Sequence, residues 1–393
     1  MNLSVANVYL GLNKIHFILV KENNGDYFLD KQIGELFFDY QNKNELQKHL
    51  YKIAQVLNSL ESKPNLNLIL DDDFFTTLNF HTYNTFIQHG EITNFENFNI
   101  KQLIINNIEY QTQKNDLHLL GEIINYEFIL SWKGTTKTYY QFPYSRKFEK
   151  LKARSSYFTI ANTDPNYELL SWFLALPNNK VHIILKSQIY AALMTESNLN
   201  LSVDINGNYF TLSLVKNGAI LKYEKLIVGT NNLISDVATI LNKSQNLVLP
   251  QINYVLNFAN PKMLSDLNLK LVANEVDTFL KMLTLTISDF VNQNTIDSKR
   301  LNSVSFSGEL ESLNNRLQSL SYFEKLGFTK VGVRTNKKSI YQIQNTISGA
   351  IFFVNSFINN QQNPTNTISS HFDLPQKKQK FFFKELFAFK KLI

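Results

Sequence analysis

The sequence predicts an α/β protein in which the order β-β-β-α-β occurs twice. Three observations lead to this prediction: a hairpin whose turn contains glycine opens each half, apolar runs with strand character follow it, and amphipathic helix patterns separate those runs. The chain has 393 residues, more than a single core usually holds. We therefore expect two domains, or a domain pair with an insertion.

The first half comprises residues 1–82 and resumes at 158–198. Its clearest element is a helix at 44–60, where leucine and isoleucine recur every three or four residues. Pro64 ends this helix. The predicted elements of this half are a hairpin at 5–20, strands at 28–38 and 66–70, a return of strand texture at 154–160, a helix at 166–176, a strand at 181–185 and a helix at 186–196.

Residues 83–157 differ in texture from the sequence around them and predict a small α+β insertion. Its predicted elements are a helix at 98–108 and strands at 117–120, 126–132 and 137–142.

The second half, 199–358, repeats the order of the first. It opens with a hairpin at 199–221, and the helix at 275–291 carries the strongest amphipathic stripe in the body of the chain. Its other predicted elements are strands at 304–306 and 330–333 and helices at 231–241, 309–320 and 345–357. This repetition indicates a duplicated fold.

The hairpin at 199–221 carries the first candidate for a binding site. Asp204 ends its first strand, and Asn206, Gly207 and Asn208 form a polar turn. Backbone N–H groups of such a turn can face a phosphate, and the carboxylate can hold a metal-bound water. The pattern alone favours a simple hairpin turn. Whether the turn binds phosphate depends on the other motifs of the chain.

Several segments together resemble FtsA, the actin-like bacterial cell-division family. The segment 203–211 resembles its D-I-G-G-x-T-T hairpin, and 227–238 is similar to its I-P-x-G-G-x-x-I-T-x-D-I-A segment. Residues 304–308 resemble the start of its V-x-L-T-G-G turn, 90–93 its E-I-T, and 10–15 its D-I-G-T-S-K-I loop. The resemblance spans nearly the whole chain. It implies a duplicated actin-like fold of the actin, Hsp70 and sugar-kinase superfold, with an FtsA-type inserted subdomain at 83–157 that faces partners.

The resemblance also implies that ATP and Mg²⁺ bind between the halves, with Asp204 holding the magnesium through water. The residues that match the nucleotide-binding motifs are Gly11, Asp204, Asn206, Gly207, Asn208, Gly229, Thr230, Ser307 and Gly308.

The chain departs from these motifs at specific positions. Tyr9 stands where the first phosphate loop has its aspartate, and Asn206, Thr230, Glu309 and Leu310 stand where the family has glycine. The family's A-E-x-x-K helix falls near 252–256 without its charged residues. Glycine allows close approach of backbone to a ligand, so we expect at most weak ATP binding or hydrolysis, and no catalytic residue is assigned.

Composition narrows the functional classes. The sequence has no cysteine, which excludes disulfides and thiolate metal sites and fits a reducing cytoplasm. Its formal charge is +6, and the segment 377–393 alone holds six lysines and one glutamate. The body is therefore close to neutral and predicts no nucleic-acid partner. There is no signal peptide pattern and no apolar run long enough to span a bilayer.

The C-terminal segment predicts membrane binding without reference to any family. Residues 359–376 are rich in Asn, Gln, Ser, Thr and Pro, as in a flexible linker, and 377–393 predict a basic amphipathic helix that lies in an anionic membrane interface. On a helical wheel, the apolar line consists of Phe382, Leu386, Phe389 and Ile393, and the opposite line includes Lys377, Lys380, Lys384 and Lys391. A docked helix and a solvated basic tail are the alternatives.

Together these features predict an FtsA-like division protein, peripheral on the cytoplasmic face of the membrane at the division site. Its expected partners are a tubulin-like division polymer, the anionic membrane surface and further copies of itself. Three alternatives remain: a small-molecule kinase of the same superfold, which Tyr9 disfavours, a nucleotide-free actin-like scaffold, and an actin-like scaffold of pilus or shape systems, which the basic C-terminal helix disfavours.

Two further groups of residues have simpler interpretations. The acidic run 71–73 follows a strand and is expected to be a solvated loop. The histidines have no metal-ligand spacing, and His118 and His182 are expected to be structural.

Overall fold

The computed structural model describes residues 3–354, except for 12–13, 24–25, 38–42, 92–93, 141, 144–145, 195–196, 259–263, 295–300, 319–322, 324–329, 334–345, 347–348 and 352. The chain divides into two compact units. Unit 1 comprises Met1–Ala192 together with Ile343–Ile393, and unit 2 comprises Leu193–Gln342.

The first sheet of unit 1 begins with three antiparallel strands and continues with two parallel ones. Its strands are β1 (Leu3–Leu10), β2 (Lys14–Asn23), β3 (Asp26–Phe37), β4 (Asn65–Leu70) and β9 (Lys180–Leu185), in the order β3-β2-β1-β4-β9. One face is apolar across β1, β2 and β4, because alternating residues of these strands bury their side chains on it. Its fully buried members are Ala6, Val8, Leu10, Ile15, Phe17, Leu19, Leu66, Leu68 and Leu70.

Along the described chain, three helices precede or follow strands of this sheet. Helix α1 (Lys43–Asn58) buries Leu46, Leu50, Ile53 and Leu57, the stripe that the sequence predicts. Helix α3 (Tyr167–Leu174) precedes β9, and α4 (Lys186–Ala192) follows it directly.

A separate sheet is inserted between β4 and β9. Its antiparallel strands are β5 (Asn79–Glu91), β6 (Leu117–Trp132), β7 (Thr135–Tyr139) and β8 (Lys147–Ala161), in the order β5-β8-β6-β7. Helix α2 (Asn94–Lys114) packs its isoleucines on one face of this sheet, against side chains of β6 and β8 such as Phe128 and Leu151. The insertion therefore has a core of its own.

Unit 2 repeats the strand order of the first sheet. Its strands are β10 (Leu199–Ile205), β11 (Phe210–Lys216), β12 (Ala219–Leu226), β13 (Leu301–Gly308) and β14 (Lys330–Val333), in the order β12-β11-β10-β13-β14. As in unit 1, the first three strands of the chain order pair antiparallel, β10 with β11 and β11 with β12. The remaining pairs, β10 with β13 and β13 with β14, are parallel. The structure thus confirms the predicted duplication within an α/β fold.

Four helices complete the described part of unit 2. They are α5 (Thr230–Leu241), α6 (Gln245–Asn257), α7 (Leu267–Asn294) and α8 (Glu311–Gln318). The apolar stripe of α7, including Val276, Leu283 and Ile287, is buried in the same cluster as the apolar residues of β10 and β13. Most of the predicted last helix, 345–357, the linker 359–376 and the tail 377–393 lie outside the described residues.

Candidate functional site

Most of the predicted nucleotide-binding residues meet at one edge of the unit 2 sheet. Strands β10 and β13 are parallel and pair Asp204 with Ser307 and Ile205 with Gly308, so both strands end at this edge. Helix α5 begins next to the turn that joins β10 to β11, because Thr230 N donates to the carbonyl oxygen of Asn206 at 2.9 Å. The edge therefore brings together Asp204, Asn206, Gly207, Asn208, Gly229, Thr230, Ser307 and Gly308.

Asp204 is buried at this edge and bonded by its own chain. Only 3% of the surface of Asp204 is exposed to solvent. Asn206 Nδ2 donates to its Oδ2 at 2.7 Å, and Ser307 Oγ donates to its Oδ1 at 2.7 Å. Both oxygens of the predicted magnesium-shell carboxylate thus accept hydrogen bonds from neighbouring side chains.

The first turn of α5 is bonded to the hairpin turn. A helix N-terminus normally presents unsatisfied N–H groups that can bind an anion. Here Asn231 N donates to Gly207 O at 2.8 Å, Asn232 N to Gly229 O at 3.1 Å, and Gly229 N to Asn232 Oδ1 at 3.0 Å. With the Thr230 bond, the N–H groups of residues 229–232 all have acceptors within the chain.

Glycine is required at two of the predicted positions because backbone approaches backbone there. A Cβ on Gly229 would lie 2.3 Å from the carbonyl oxygen of Gly207. A Cβ on Gly308, whose φ is +138°, would lie 1.9 Å from the carbonyl oxygen of Ile205. These contacts pack the hairpin, α5 and the end of β13 together, and they involve no ligand.

The side chains of Asn231 and Glu309 lie over the Cα of Gly207, on the side where a Cβ would project. A Cβ on Gly207 would lie 2.9 Å from Asn231 Nδ2 and 3.1 Å from Glu309 Oε2. Asn231 Nδ2 also donates to Asn208 Oδ1 at 2.9 Å. Glu309 stands where the resemblance expects glycine, so the substitution places a carboxylate beside the turn that was predicted to hold phosphate.

These residues do not fit a magnesium-bound triphosphate. Such a ligand needs a carboxylate open to the metal shell and N–H groups open to phosphate oxygens. At this edge the carboxylate and the first N–H groups of α5 are bonded within the chain, and Glu309 adds negative charge. Among the described residues, no group of three or more histidine, aspartate or glutamate side chains is placed to hold a metal ion.

The remaining predicted residue, Gly11, belongs to unit 1. Its N–H donates to Lys14 O at 2.9 Å, which closes the turn between β1 and β2. The side chain of Lys14 lies over it, since a Cβ on Gly11 would be 3.3 Å from Lys14 Cγ.

A second polar cluster, which the sequence analysis did not find, lies at the end of β1. Tyr9 donates its hydroxyl hydrogen to Asp71 Oδ2, and Lys186 Nζ lies 3.9 Å from the same oxygen. The next residue, Asp72, accepts a hydrogen bond at 3.2 Å from the hydroxyl of Ser187. Because β4 runs parallel to β1, a residue that follows β4 lies beside the end of β1; that strand pairing is the signal by which the cluster could have been found.

The prediction of a solvated loop at 71–73 is therefore wrong for its first two residues. Asp71 is 8% exposed and Asp72 is 1% exposed, because β1 and α4 supply polar partners that bury them. Burial raises the pKa of the Tyr9 hydroxyl well above its usual value, the Asp71 carboxylate raises it further, and the Lys186 ammonium lowers it.

The predicted membrane-binding residues lie outside the described part of the chain. They are Lys380, Phe382, Lys384, Leu386, Phe389, Lys391 and Ile393. Within the described residues, no helix combines the length and the apolar character needed to cross a bilayer.

Comparison with known proteins supports the fold. No protein-family model and no curated protein sequence matches the chain. A solved structure of the PilM–PilN type IV pilus biogenesis complex matches with a TM-score of 0.52 and 10% identity, over 88% of this chain and 96% of the other. The ethanolamine utilization protein EutJ from Carboxydothermus hydrogenoformans matches with a TM-score of 0.40 and 12% identity, over 89% of each chain.

A Bacteroides thetaiotaomicron protein, described as having an actin-like ATPase fold and unknown function, matches with a TM-score of 0.36 and 10% identity, over 88% of this chain and 95% of the other. The conclusion about the fold rests on the similarity to PilM, with its TM-score of 0.52, and not on the two matches with lower scores. With the duplicated strand order of the two sheets, it places the chain in the class of actin-like folds.

Proposed function

We propose that this chain is an actin-like scaffold of the FtsA type, which holds a tubulin-like division polymer at the cytoplasmic face of the membrane and associates with further copies of itself. The observation that carries the proposal is the third sheet, inserted between β4 and β9 of the first sheet. The resemblance to FtsA implies a partner-contacting α+β subdomain in this part of the chain, and the α+β arrangement of α2 with β5–β8 supports the proposal.

A scaffold fits the two sheet edges better than a small-molecule kinase does. A kinase of this superfold would need an aspartate at the end of β1, and Tyr9 occupies that position with its hydroxyl bonded to Asp71. The corresponding carboxylate of unit 2, Asp204, is 3% exposed and bonded by Asn206 and Ser307. Of the described residues at these two positions, Tyr9 has no carboxylate, and the carboxylate of Asp204 is not open for phosphoryl transfer.

The tail supplies the membrane part of the proposal. The segment 377–393, behind the polar linker 359–376, holds six lysines and five phenylalanines, and Phe382, Leu386, Phe389 and Ile393 have helical spacing. Each lysine near an anionic surface contributes on the order of 1 kcal/mol of binding free energy, and the aromatic face adds apolar burial in the interface.

A second candidate function is a scaffold for pilus assembly at the membrane. It is favoured by the likeness to PilM, whose solved structure is a complex with PilN. The two candidates share the actin-like body and differ in the partner, so a partner assay separates them.

The test is co-sedimentation of the full chain with vesicles of phosphatidylcholine, with and without phosphatidylglycerol, in the presence and absence of the division polymer. We expect binding to the anionic vesicles only, and recruitment of the polymer to them. Deletion of 377–393 should abolish vesicle binding and leave polymer binding in solution intact. Vesicle binding that survives the deletion contradicts the membrane role, and failure to bind the polymer contradicts the partner.

Two matched variants of the tail distinguish charge from apolar burial. Replacing Lys380, Lys384 and Lys391 with glutamine should weaken binding on the order of 100-fold. Replacing Phe382, Leu386 and Phe389 with serine should weaken binding to the anionic vesicles at low and high salt alike, because salt does not screen apolar burial. If the division polymer does not bind but a PilN-type partner does, the second candidate replaces the first.

A further inference from the structure

We infer that unit 2 of this actin-like chain binds no ATP, because its site residues form an internal lock. The internal lock consists of Asp204, Asn206, Ser307 and the first turn of α5, residues 229–232. This inference does not depend on the division partner or on membrane binding, so its failure and theirs are separate results.

The first part of the internal lock is the carboxylate of Asp204. Magnesium beside a nucleotide is held through one or two carboxylates and several waters, which requires oxygens that face the metal shell. Here the amide of Asn206 and the hydroxyl of Ser307 each approach one oxygen to 2.7 Å. Asn206 occupies a position where the resemblance expects glycine, so the side chain that bonds Asp204 is itself a departure from the nucleotide-binding pattern.

The second part is the N-terminus of α5. The N–H groups of Thr230 and Asn231 donate to the hairpin carbonyls of Asn206 and Gly207 at 2.9 and 2.8 Å. A phosphate could take these donors only if α5 moved away from the hairpin. Gly229 packs against the same carbonyls, which holds α5 in place.

The third observation is the charge beside the turn. Glu309 Oε2 lies 3.1 Å from the Cβ position of Gly207, and Asn231 Nδ2 lies 2.9 Å from it. Glu309 is exposed, so its carboxylate adds a repulsion toward a polyphosphate that water and salt weaken. The backbone N–H of Glu309 donates to Ile205 O at 3.0 Å, which holds the backbone of Glu309 at the edge of the sheet.

The fourth observation concerns the helices beyond β13. Ser312 of α8 donates its hydroxyl hydrogen to Asn253 Oδ1 of α6 at 2.5 Å. The two helices are thus bonded directly to each other by short polar side chains.

A ligand site and an internal lock respond differently to substitution. Residues that serve a ligand often lower the stability of the free protein, so replacing them leaves stability unchanged or raises it. A residue of a buried hydrogen-bonded network lowers stability when it is replaced, because its partners lose their bonds without reaching water. The sign of the change in the ligand-free protein thus distinguishes the two roles.

The experiment is thermal unfolding of the full chain and of Ser307→Ala and Asp204→Asn, with and without about 5 mM MgATP. The matched control is Ser305→Ala, because Ser305 lies two residues earlier on β13 and pairs with Ser202 instead of Asp204. We expect Tm to fall by about 3–8 °C in the two lock variants and by about 1 °C or less in the control. MgATP should leave every Tm unchanged.

Equilibrium dialysis of the unmodified chain with labelled ATP gives a second readout that needs no variant. We expect no saturable binding up to about 1 mM nucleotide. Saturable binding of one ATP per chain, or an MgATP-dependent rise in Tm that disappears in Asp204→Asn, would overturn the inference. Unchanged Tm in both lock variants would also overturn it, because the network would then contribute nothing to stability.

Discussion

The hydroxyl of Tyr9 and the carboxylate of Asp71 form a hydrogen bond between the ends of two neighbouring parallel strands of unit 1. Both residues are buried, and Lys186 Nζ, at 3.9 Å from the carboxylate, balances its charge. A buried charge without partners is costly, so this arrangement explains how an acidic residue is accommodated inside the unit. Tyr9 therefore acts as a structural donor at a position where the resemblance expects a carboxylate.

Tyr9→Phe should destabilise the protein. The substitution keeps the ring and removes the donor to Asp71, and leaving a buried acceptor without its bond costs about 1–3 kcal/mol. Thermal unfolding should show a fall in Tm of about 2–8 °C. Tyr51→Phe is the matched control, since Tyr51 is 66% exposed on α1, and it should leave Tm unchanged. Equal effects of the two substitutions would contradict the structural role of the Tyr9 hydroxyl.

The same hydroxyl predicts a difference at alkaline pH. Because the pKa of Tyr9 is raised in the folded state, the unfolded chain releases this proton first as pH rises above 10.0. The associated stability is present below that pH and is lost above it. Unfolding by denaturant across this range should show a steeper loss for the unmodified chain than for Tyr9→Phe. Parallel curves would argue against a buried phenol.

His16 predicts the pH dependence on the acid side. Burial, with a smaller contribution from the Lys14 ammonium, lowers the pKa of His16 from 6.5 to about 4. The unfolded chain therefore binds a proton more readily, so the stability is present above pH 6.5 and is lost as pH falls toward 4. The loss is roughly 3 kcal/mol across this range. In urea unfolding, His16→Gln should lose less unfolding free energy over this pH range than the unmodified chain does. The difference between the two proteins at about pH 8, where the histidine is neutral in both states, measures the effect of the substitution on packing.

Periodic elements could be predicted from sequence, and elements without a clear period could not. Strand β14 coincides with its predicted range, and α1 buries the predicted stripe, because each shows its spacing locally. Strand β6 was expected as two pieces, since its pairing with β8 shifts between Leu120 and Ile124 near Gly121, whose φ is +75°. Strand β5 was not predicted as a strand, because its side chains on the solvent side include Phe86, which masks the alternation.

The candidate site shows the same limit. The turn after Asp204 and the glycines at 229 and 308 could be found because motif spacing lies within short segments. The burial of Asp71 and Asp72 could not, because their partners Tyr9 and Ser187 are 62 and 115 residues away. Long-range pairing decides whether an acidic run is solvated or buried, and a single sequence carries no local sign of it.

Asp164 is expected to be a second stability determinant, at the point in unit 1 where the chain enters and leaves the inserted sheet. Its Oδ2 accepts hydrogen bonds from Thr77 N at 2.9 Å, Thr77 Oγ1 at 2.7 Å and Thr76 Oγ1 at 3.2 Å, and its Oδ1 accepts one from Asn166 N at 3.0 Å. Asp164→Asn places amide hydrogens against these donors and should cost about 2–4 kcal/mol. Asp116→Asn is the control, because Asp116 is exposed with φ of 53°, a conformation that asparagine adopts readily.

The measurement for Asp164 is thermal unfolding together with limited proteolysis. Besides a lower Tm, we expect faster cleavage near residues 74–79 and 161–166, because the carboxylate bonds these two segments to each other. A uniform increase in cleavage over the whole chain would instead indicate a global loss of stability, without a local role at the junction.

Gly308→Ala tests whether the edge of unit 2 is as closely packed as described. The added methyl carbon would lie 1.9 Å from the carbonyl oxygen of Ile205, which is backbone of a central strand and cannot rotate away. The φ of +138° adds strain for any residue other than glycine. We expect a loss of more than about 4 kcal/mol, seen as loss of cooperative unfolding of unit 2 or as insoluble protein.

The matched control is Gly134→Ala in the turn between β6 and β7. Its φ of +74° lies near the left-handed helical region, where the backbone strain is smaller than at +138°, and a methyl group there would meet nothing within 4 Å. The cost should be about 1 kcal/mol, measured by urea unfolding. The difference between the two variants reports the clash with Ile205 together with the additional backbone strain at Gly308. A Gly308→Ala protein as stable as Gly134→Ala would mean that β10 and β13 can separate at this edge, and then the internal lock would be loose enough to admit a ligand.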